Sequence, residues 1–166
     1  KFGNLKVLNF DECEFLTEIP DASDFPNLEE LSFDRCGNLI TVHHSIGGLS
    51  KLKILSATNC SKLTTFPPLK MTSLERLGLS DCSSLENFPE ILVEMKNLLR
   101  LELDNLGIEE LPVTFQNLVG LESLYLNNCE IYWFPSSIVV MPKLYSLNAT
   151  NCKGWKWLKL EEDEEN

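Results

Sequence analysis

At 166 residues, with 43% apolar side chains and a net charge of −11, the chain is long enough for one domain with a sizeable core. The acidity argues against a nucleic-acid groove or an anionic membrane surface, both of which select lysine and arginine. No apolar run approaches the roughly 18 residues that a membrane-spanning helix needs.

In chain order, the first element is the alternation Leu5, Leu8, Phe10 in "NLKVLNF", followed by Cys13, Leu16, Ile19 and Pro20. The same order then returns from starts at Asn4, Asn27, Lys51, Ser73, Asn97, Gly120 and Lys143, a period of 22–24 residues. One leucine column is Leu5, Leu28, Leu52, Leu74, Leu98, Leu121 and Leu144. A second is Leu8, Leu31, Leu55, Leu77, Leu101, Leu124 and Leu147. Neither has an exception. A third column holds Phe10, Phe33, Ala57, Leu79, Leu103, Leu126 and Ala149. A cysteine column follows, with Cys13, Cys36, Cys60, Cys82, Cys129 and Cys152, and Leu106 stands in the one missing place. An apolar residue and proline close most repeats, as in Phe66–Pro67 and Phe88–Pro89; His43 and Lys159 break the proline column.

A fixed period of this length is the mark of stacked repeats. The two-residue alternation gives each repeat a short strand, and parallel stacking sets the strands about 4.8 Å apart. One repeat cannot bury its apolar face alone, whereas a stack joins the faces into one core. The predicted fold is an α/β repeat solenoid of the leucine-rich-repeat kind. It is a right-handed superhelix, or horseshoe arc, of about seven repeats over residues 1–160, with a concave parallel β-sheet. The convex side should be mostly irregular, with short helical turns at 91–96 and 136–141. The tail 161–166, "EEDEEN", should be solvated and disordered. Leu5, Leu8 and Phe10 should be exposed at the first end, and the chain reads as a piece of a larger protein.

Three roles are open to the cysteine column. Metal binding needs convergent ligands such as CxxC pairs, and these residues lie along a line. A disulfide ladder is compatible with the strand spacing, but the thiols should project in parallel. The favoured role is structural for all six, from Cys13 to Cys152: a small, readily buried residue that fills the turn after the strand and donates its S–H to a neighbouring carbonyl. Leu106 fits that column without a thiol. Cys36 with His43 or His44 is the one conceivable catalytic dyad, and the columns place them on different sides of the coil. The chain reads as non-enzymatic and free of cofactors.

The pattern LxxLxLxxCxxLxxxP, in "NLEELSFDRCGNLITV" and "KLTTFPPLKMTSLERLGLSDCSSLENFP", resembles the repeats of plant intracellular nucleotide-binding leucine-rich-repeat disease resistance proteins. Its flavour is similar to the class carrying a Toll/interleukin-1-receptor domain, the TIR-NBS-LRR proteins. Plant extracellular repeats usually carry Asn at the cysteine position and a Gly-x-Ile-Pro turn, and neither is a pattern here. The resemblance implies a cytoplasmic or nuclear module that recognises proteins and restrains its parent receptor. Its partner would be a protein ligand or that receptor's own nucleotide-binding module. No GxxxxGK[ST] loop is present, so no nucleotide site is expected by that motif.

Function is therefore expected on the concave sheet, between the leucines. The candidates are Lys6, Asn9, Asp11, Glu29, Glu30, Asp34, Arg35, Lys53 and Ser56, then Glu75, Arg76, Arg100, Glu102, Asp104, Tyr125, Asn127, Tyr145 and Asn148. With their neighbours at equivalent positions they bring ten acids against five bases, which suits a basic partner surface. Tyr125 and Tyr145 are of the type favoured at interface hot spots.

Overall fold

The computed structural model describes residues 2–132 and 141–153. Seven three-residue strands form one parallel sheet: β1 (Val7–Asn9), β3 (Glu30–Ser32), β5 (Ile54–Ser56), β6 (Arg76–Gly78), β7 (Arg100–Glu102), β8 (Ser123–Tyr125) and β9 (Ser146–Asn148). The register aligns Leu8, Leu31, Leu55, Leu77, Leu101, Leu124 and Leu147 in a single row. Two further strands, β2 (Glu18–Ile19) and β4 (Thr41–Val42), pair in a second, two-stranded sheet across the core.

The leucine columns form the core as the pattern predicts. Leu31, Leu55, Leu77, Leu101 and Leu124 are fully buried, as are Leu28, Leu52, Leu74, Leu98 and Leu121. Each burial stabilises by about 1.5–3 kcal/mol, so the interior repeats carry most of the folding energy. The ends are more open, and Leu147 in β9 is 37% exposed. At the first end the expectation needs correcting. Leu5, Leu8 and Phe10 are half-buried rather than exposed. Phe2 stacks on Phe25 with ring centroids 5.5 Å apart, and its amide donates to the Asp24 carbonyl at 2.9 Å.

Of the two predicted helical turns, the one at 91–96 does not form. Among the described residues the 3₁₀ turns are η1 (His44–Gly48) and η2 (Val113–Asn117). At 91–96 the amides are spent laterally: Ile91 donates to Thr114 Oγ1 and Leu92 to the Leu69 carbonyl. Those donors are lost to any local turn. The residues predicted to turn at 136–140 lie outside the described set, as do Phe134, Pro135, Trp155, Leu158 and the tail 161–166.

One residue per repeat has left-handed backbone: Glu12, Arg35, Asn59, Asp81, Asn105, Asn128 and Asn151, with φ between 56° and 63°. It immediately precedes the cysteine column. Asn and Asp tolerate this conformation better than other non-glycine residues, and they fill five of the seven places. The turn lets the amide of Glu12, Arg35, Asn59, Asp81, Asn105 and Asn128 donate to a carbonyl of the next repeat at 2.8–2.9 Å.

The four interior cysteines have their structural role. The Cys36 thiol donates to the Phe10 carbonyl and Cys60 to Phe33, both at 3.1 Å; Cys82 donates to Ala57 and Cys129 to Leu103, both at 2.9 Å. Each of these thiols thus ties its repeat to the one before. Burial pushes Cys129 up to about 12. Contact with Cys82, and then burial, push Cys60 up, while the same contact pulls Cys82 down.

The ends of the column depart from that uniform role. Cys13 and Cys152 are half-buried, whereas the other four are buried. They follow β1 and β9, which among the described residues are the two edge strands of the sheet. One contact of the Cys152 thiol is with the Ile131 carbonyl, in the turn of the preceding repeat, at 3.9 Å. The interior thiols reach the strand-end column of Phe10, Phe33, Ala57 and Leu103. Full burial of the thiol therefore holds at the four interior places of the column.

Two outcomes are expected. Gly120→Ala would bring its Cβ within 1.9 Å of the Lys96 carbonyl oxygen, so it should lower the unfolding free energy by about 1–3 kcal/mol in urea titration. Cys129 titrates higher in the folded than the unfolded chain, so its contribution is intact below the ordinary thiol value of 9 and is lost as pH rises towards about 12. Unfolding midpoints should fall across that window, and by less in Cys129→Ala.

Candidate protein-recognition surface

Each outward position of the sheet has a fixed place in the repeat. Just before the strands, the carbonyls of Lys6, Glu29, Lys53, Glu75, Leu99 and Glu122 each accept two amides from the next repeat. This leaves their side chains flanking the sheet. Within the strands, alternate residues stand on either side of the buried leucine. Arg76 and Arg100 therefore lie opposite each other, as do Gly78 and Glu102, then Glu102 and Tyr125.

Several sequence candidates turn out to be engaged in holding repeats together. Asp11 Oδ1 accepts from Ser32 Oγ at 2.5 Å and from the Asp34 amide at 2.8 Å. Asp34 repeats this with Ser56 Oγ at 2.6 Å and the Thr58 amide at 2.9 Å. Further along, Ser80 Oγ accepts from the Asp104 amide, Asp104 from the Asn127 amide, and Asn127 from the Thr150 amide. Arg35 sits in the left-handed turn and pairs with Glu12 at 3.2 Å. Asn9 accepts from the Asp11 amide. Polar residues just after a strand look like free surface in a sequence, because their partners lie one repeat away.

The remaining candidates divide by position. In the first half, Lys6 and Glu30 are exposed, and Lys53 approaches Glu29 at 3.5 Å. Glu75 is exposed in the middle of the sheet and Tyr145 is 78% exposed at its far end. Asn148 is half-buried beside Ser146.

A compact charged cluster occupies the sheet centre. Glu102, 14% exposed, pairs with Arg100 Nε at 2.6 Å and Arg76 Nη2 at 3.0 Å. The Arg100 guanidinium also lies 4.8 Å from the Tyr125 ring centroid, a cation–π contact. The Glu102 hydrogen bond pushes Arg100 above its ordinary value. One carboxylate therefore holds two guanidiniums that would otherwise repel across the strands. Both arginines remain about half exposed and keep further N–H donors for a ligand.

Gly78, an outward position of the fourth repeat that the sequence also places on the concave face, lies beside this cluster. A Cβ there would sit 3.4 Å from Glu102 Oε2 and 3.6 Å from Ser56 Oγ, in ordinary contact. The sheet therefore carries no side chain at Gly78, and Ser56, Thr58 and Glu102 surround that place. A signal for it exists, since Gly78 is the one glycine in the strand positions.

The dyad weighed from the sequence does not assemble. The Cys36 thiol is spent on Phe10, and His43 Nδ1 accepts from the Ser45 amide at the start of η1.

Glu102→Ala should lower stability by about 1 kcal/mol, since the ion pairs are half-exposed and screened. The deficit should shrink as salt damps the repulsion between Arg76 and Arg100. Denaturation at low and high ionic strength measures both.

Residues 70–157 match the family described as the leucine-rich repeats of RPS4B-like disease resistance proteins. TMV resistance protein N of Nicotiana glutinosa is 38% identical over 151 residues, 90% of this chain and 13% of that protein. Disease resistance protein RPP5 of Arabidopsis thaliana is 40% identical over 153 residues, 92% of this chain and 10% of that protein. The chain thus spans about a tenth of the length of these relatives. Among solved structures, the leucine-rich repeat domain of the type III effector XopL superposes with a TM-score of 0.77 at 24% identity, over 89% of this chain and 53% of that one. That likeness concerns the fold alone. On the family match, this chain belongs to the leucine-rich repeats of RPS4B-like disease resistance proteins.

Proposed function

We propose that the chain is the recognition surface of a plant innate immune receptor, and that its concave sheet binds protein. The observation that carries this reading is a contrast within single strands. The inward leucine is the same in all seven, whereas the outward neighbours change from Val7 and Asn9 to Arg100 and Glu102 to Ser146 and Asn148. A face that is uniform inside and individual outside suits specific binding on a constant frame.

The partner is a protein with a basic surface. It is either a foreign ligand or the parent receptor's own nucleotide-binding module, whose restraint the ligand would relieve. The acid excess supports the charge, and the Arg100–Tyr125 pair supplies an aromatic and guanidinium anchor of the kind found at hot spots. Residence in the cytoplasm or nucleus belongs to the same reading, because Cys36, Cys60, Cys82 and Cys129 are buried as thiols, which suits a reducing compartment. Binding, without catalysis or a cofactor of its own, is the role assigned to this part of the receptor.

The test uses the full-length receptor with Tyr125→Ala and Tyr145→Ala together, and separately with Glu29→Lys and Glu30→Lys. Association with its nucleotide-binding module, expressed in trans, should weaken at least tenfold in each variant and should weaken with added salt. The charge reversal should also make the receptor active without pathogen. Association that is indifferent to salt and to all four substitutions would overturn the reading.

A further inference from the structure

The second sheet stops after two strands, and the chain itself supplies the reason. The His43 amide donates to the Ile19 carbonyl at 2.9 Å, which closes β4 against β2. In the next three repeats the residue in His43's place is Pro67, Pro89 and Pro112. Proline has no N–H, so that bond is not repeated. Lateral bonding persists just upstream, from the Thr64 amide to the Ile40 carbonyl and from the Glu86 amide to the Thr64 carbonyl. Beyond that point no backbone hydrogen bond joins residues 65–68 to 87–89, or 87–89 to 110–112. The carbonyls of Val42, Phe66 and Phe88, the counterparts of Ile19, accept no backbone hydrogen bond from the described residues.

A groove of about 520 Å³ opens at this interruption, lined by Phe66, Phe88 and Leu111 and by Pro68, Pro89 and Pro112. The three first-named side chains are buried and form its floor. Glu90 and Glu110 are exposed at its rim, and no lysine, arginine or histidine lines it. Glu90 is steadied by a hydrogen bond from Thr114 Oγ1. Val113, 61% exposed, extends the apolar lining outwards.

We propose that this groove is a second docking site, distinct from the concave sheet, for an extended segment of a partner protein that carries an arginine. The three prolines of the lining bring no N–H, and the carbonyls of Phe66 and Phe88 accept no backbone hydrogen bond from the described residues. Two carboxylates set the sign of the charge. A guanidinium supplies what is missing: five N–H donors, a fixed positive charge and a flat face that lies against rings. An extended chain presents that side chain and offers its own amides to the idle carbonyls. The flanking apolar residues of the segment rest on Val113.

The probe is a fluorescein-labelled, capped hexapeptide alternating arginine and leucine, titrated into this 166-residue chain. Its controls are the same peptide with citrulline, and with glutamate, in place of arginine. Saturable binding of the arginine peptide is expected, about tenfold weaker in Glu110→Gln and in Glu90→Gln. It should be lost in Asn87→Trp, which puts an indole into the groove, and unchanged in Arg76→Ala with Arg100→Ala on the concave sheet. Circular dichroism confirms that each variant is folded, and backbone NMR shifts should map to residues 64–68, 87–90 and 110–113. Three results would overturn the proposal: no saturable binding, equal binding of the citrulline peptide, or binding that survives Asn87→Trp.

Discussion

No repeat of this protein satisfies its own backbone, and the bonds it makes to its neighbours at one corner govern everything else. Three kinds of contact cross between successive coils where the interior strands end, though not all three at every strand, since Leu106 takes the thiol's place after β7. A left-handed residue sends its amide forward to a carbonyl, as Arg35 does to Thr58. A short polar side chain accepts the next coil's amide, as Asp34 does from Thr58. A thiol reaches back to a carbonyl, as Cys60 does to Phe33. Leucine burial supplies the larger energy, but it is non-directional. The corner contacts fix the register, and the register is what turns seven separate leucines into a row and their neighbours into a surface.

The columns of leucine were legible because burial repeats the same demand at a fixed interval. The cysteine column was legible for the same reason, including its tolerance of Leu106. Its uneven ends were not, because a period treats Cys152 as the equal of Cys82 and carries no sign of which coil stands at an edge. What escaped the sequence otherwise is whatever depends on a partner some 23 residues away. Asp11, Asp34, Asp104 and Asn127 read as binding residues because polar side chains after a strand look solvated, yet each accepts an amide from the following coil. The left-handed turn was half visible, since Asn59, Asn105, Asn128 and Asn151 are apt for it while Glu12 and Arg35 give no hint. The helical turn at 91–96 was misplaced because Ile91 and Leu92 look helix-compatible, and their amides are claimed by Thr114 and Leu69.

Front and back of the coil differ by a single missing atom type. The front sheet runs through seven strands because each strand has its N–H groups to offer. The back sheet ends at β4 because proline has none. The contrast leaves the molecule with a continuous surface on one side, where side chains alone distinguish one place from the next. On the other side it leaves an interrupted surface, where backbone groups are themselves available. His43, an irregularity in the proline column, is the residue that marks the boundary.

The corner contacts have an implication for how such a chain can change in length. A carbonyl or amide of any coil looks the same to its neighbour, and most of these contacts have a backbone group on at least one side. A coil copied or lost as a whole unit would therefore present matching groups at the new junction, whatever side chains it carried outwards. A loss of half a unit would set leucines against turns and leave amides without acceptors. The solenoid is thus open to lengthening and shortening in whole coils, with the recognition surface reshuffled at each step and the core left as it was.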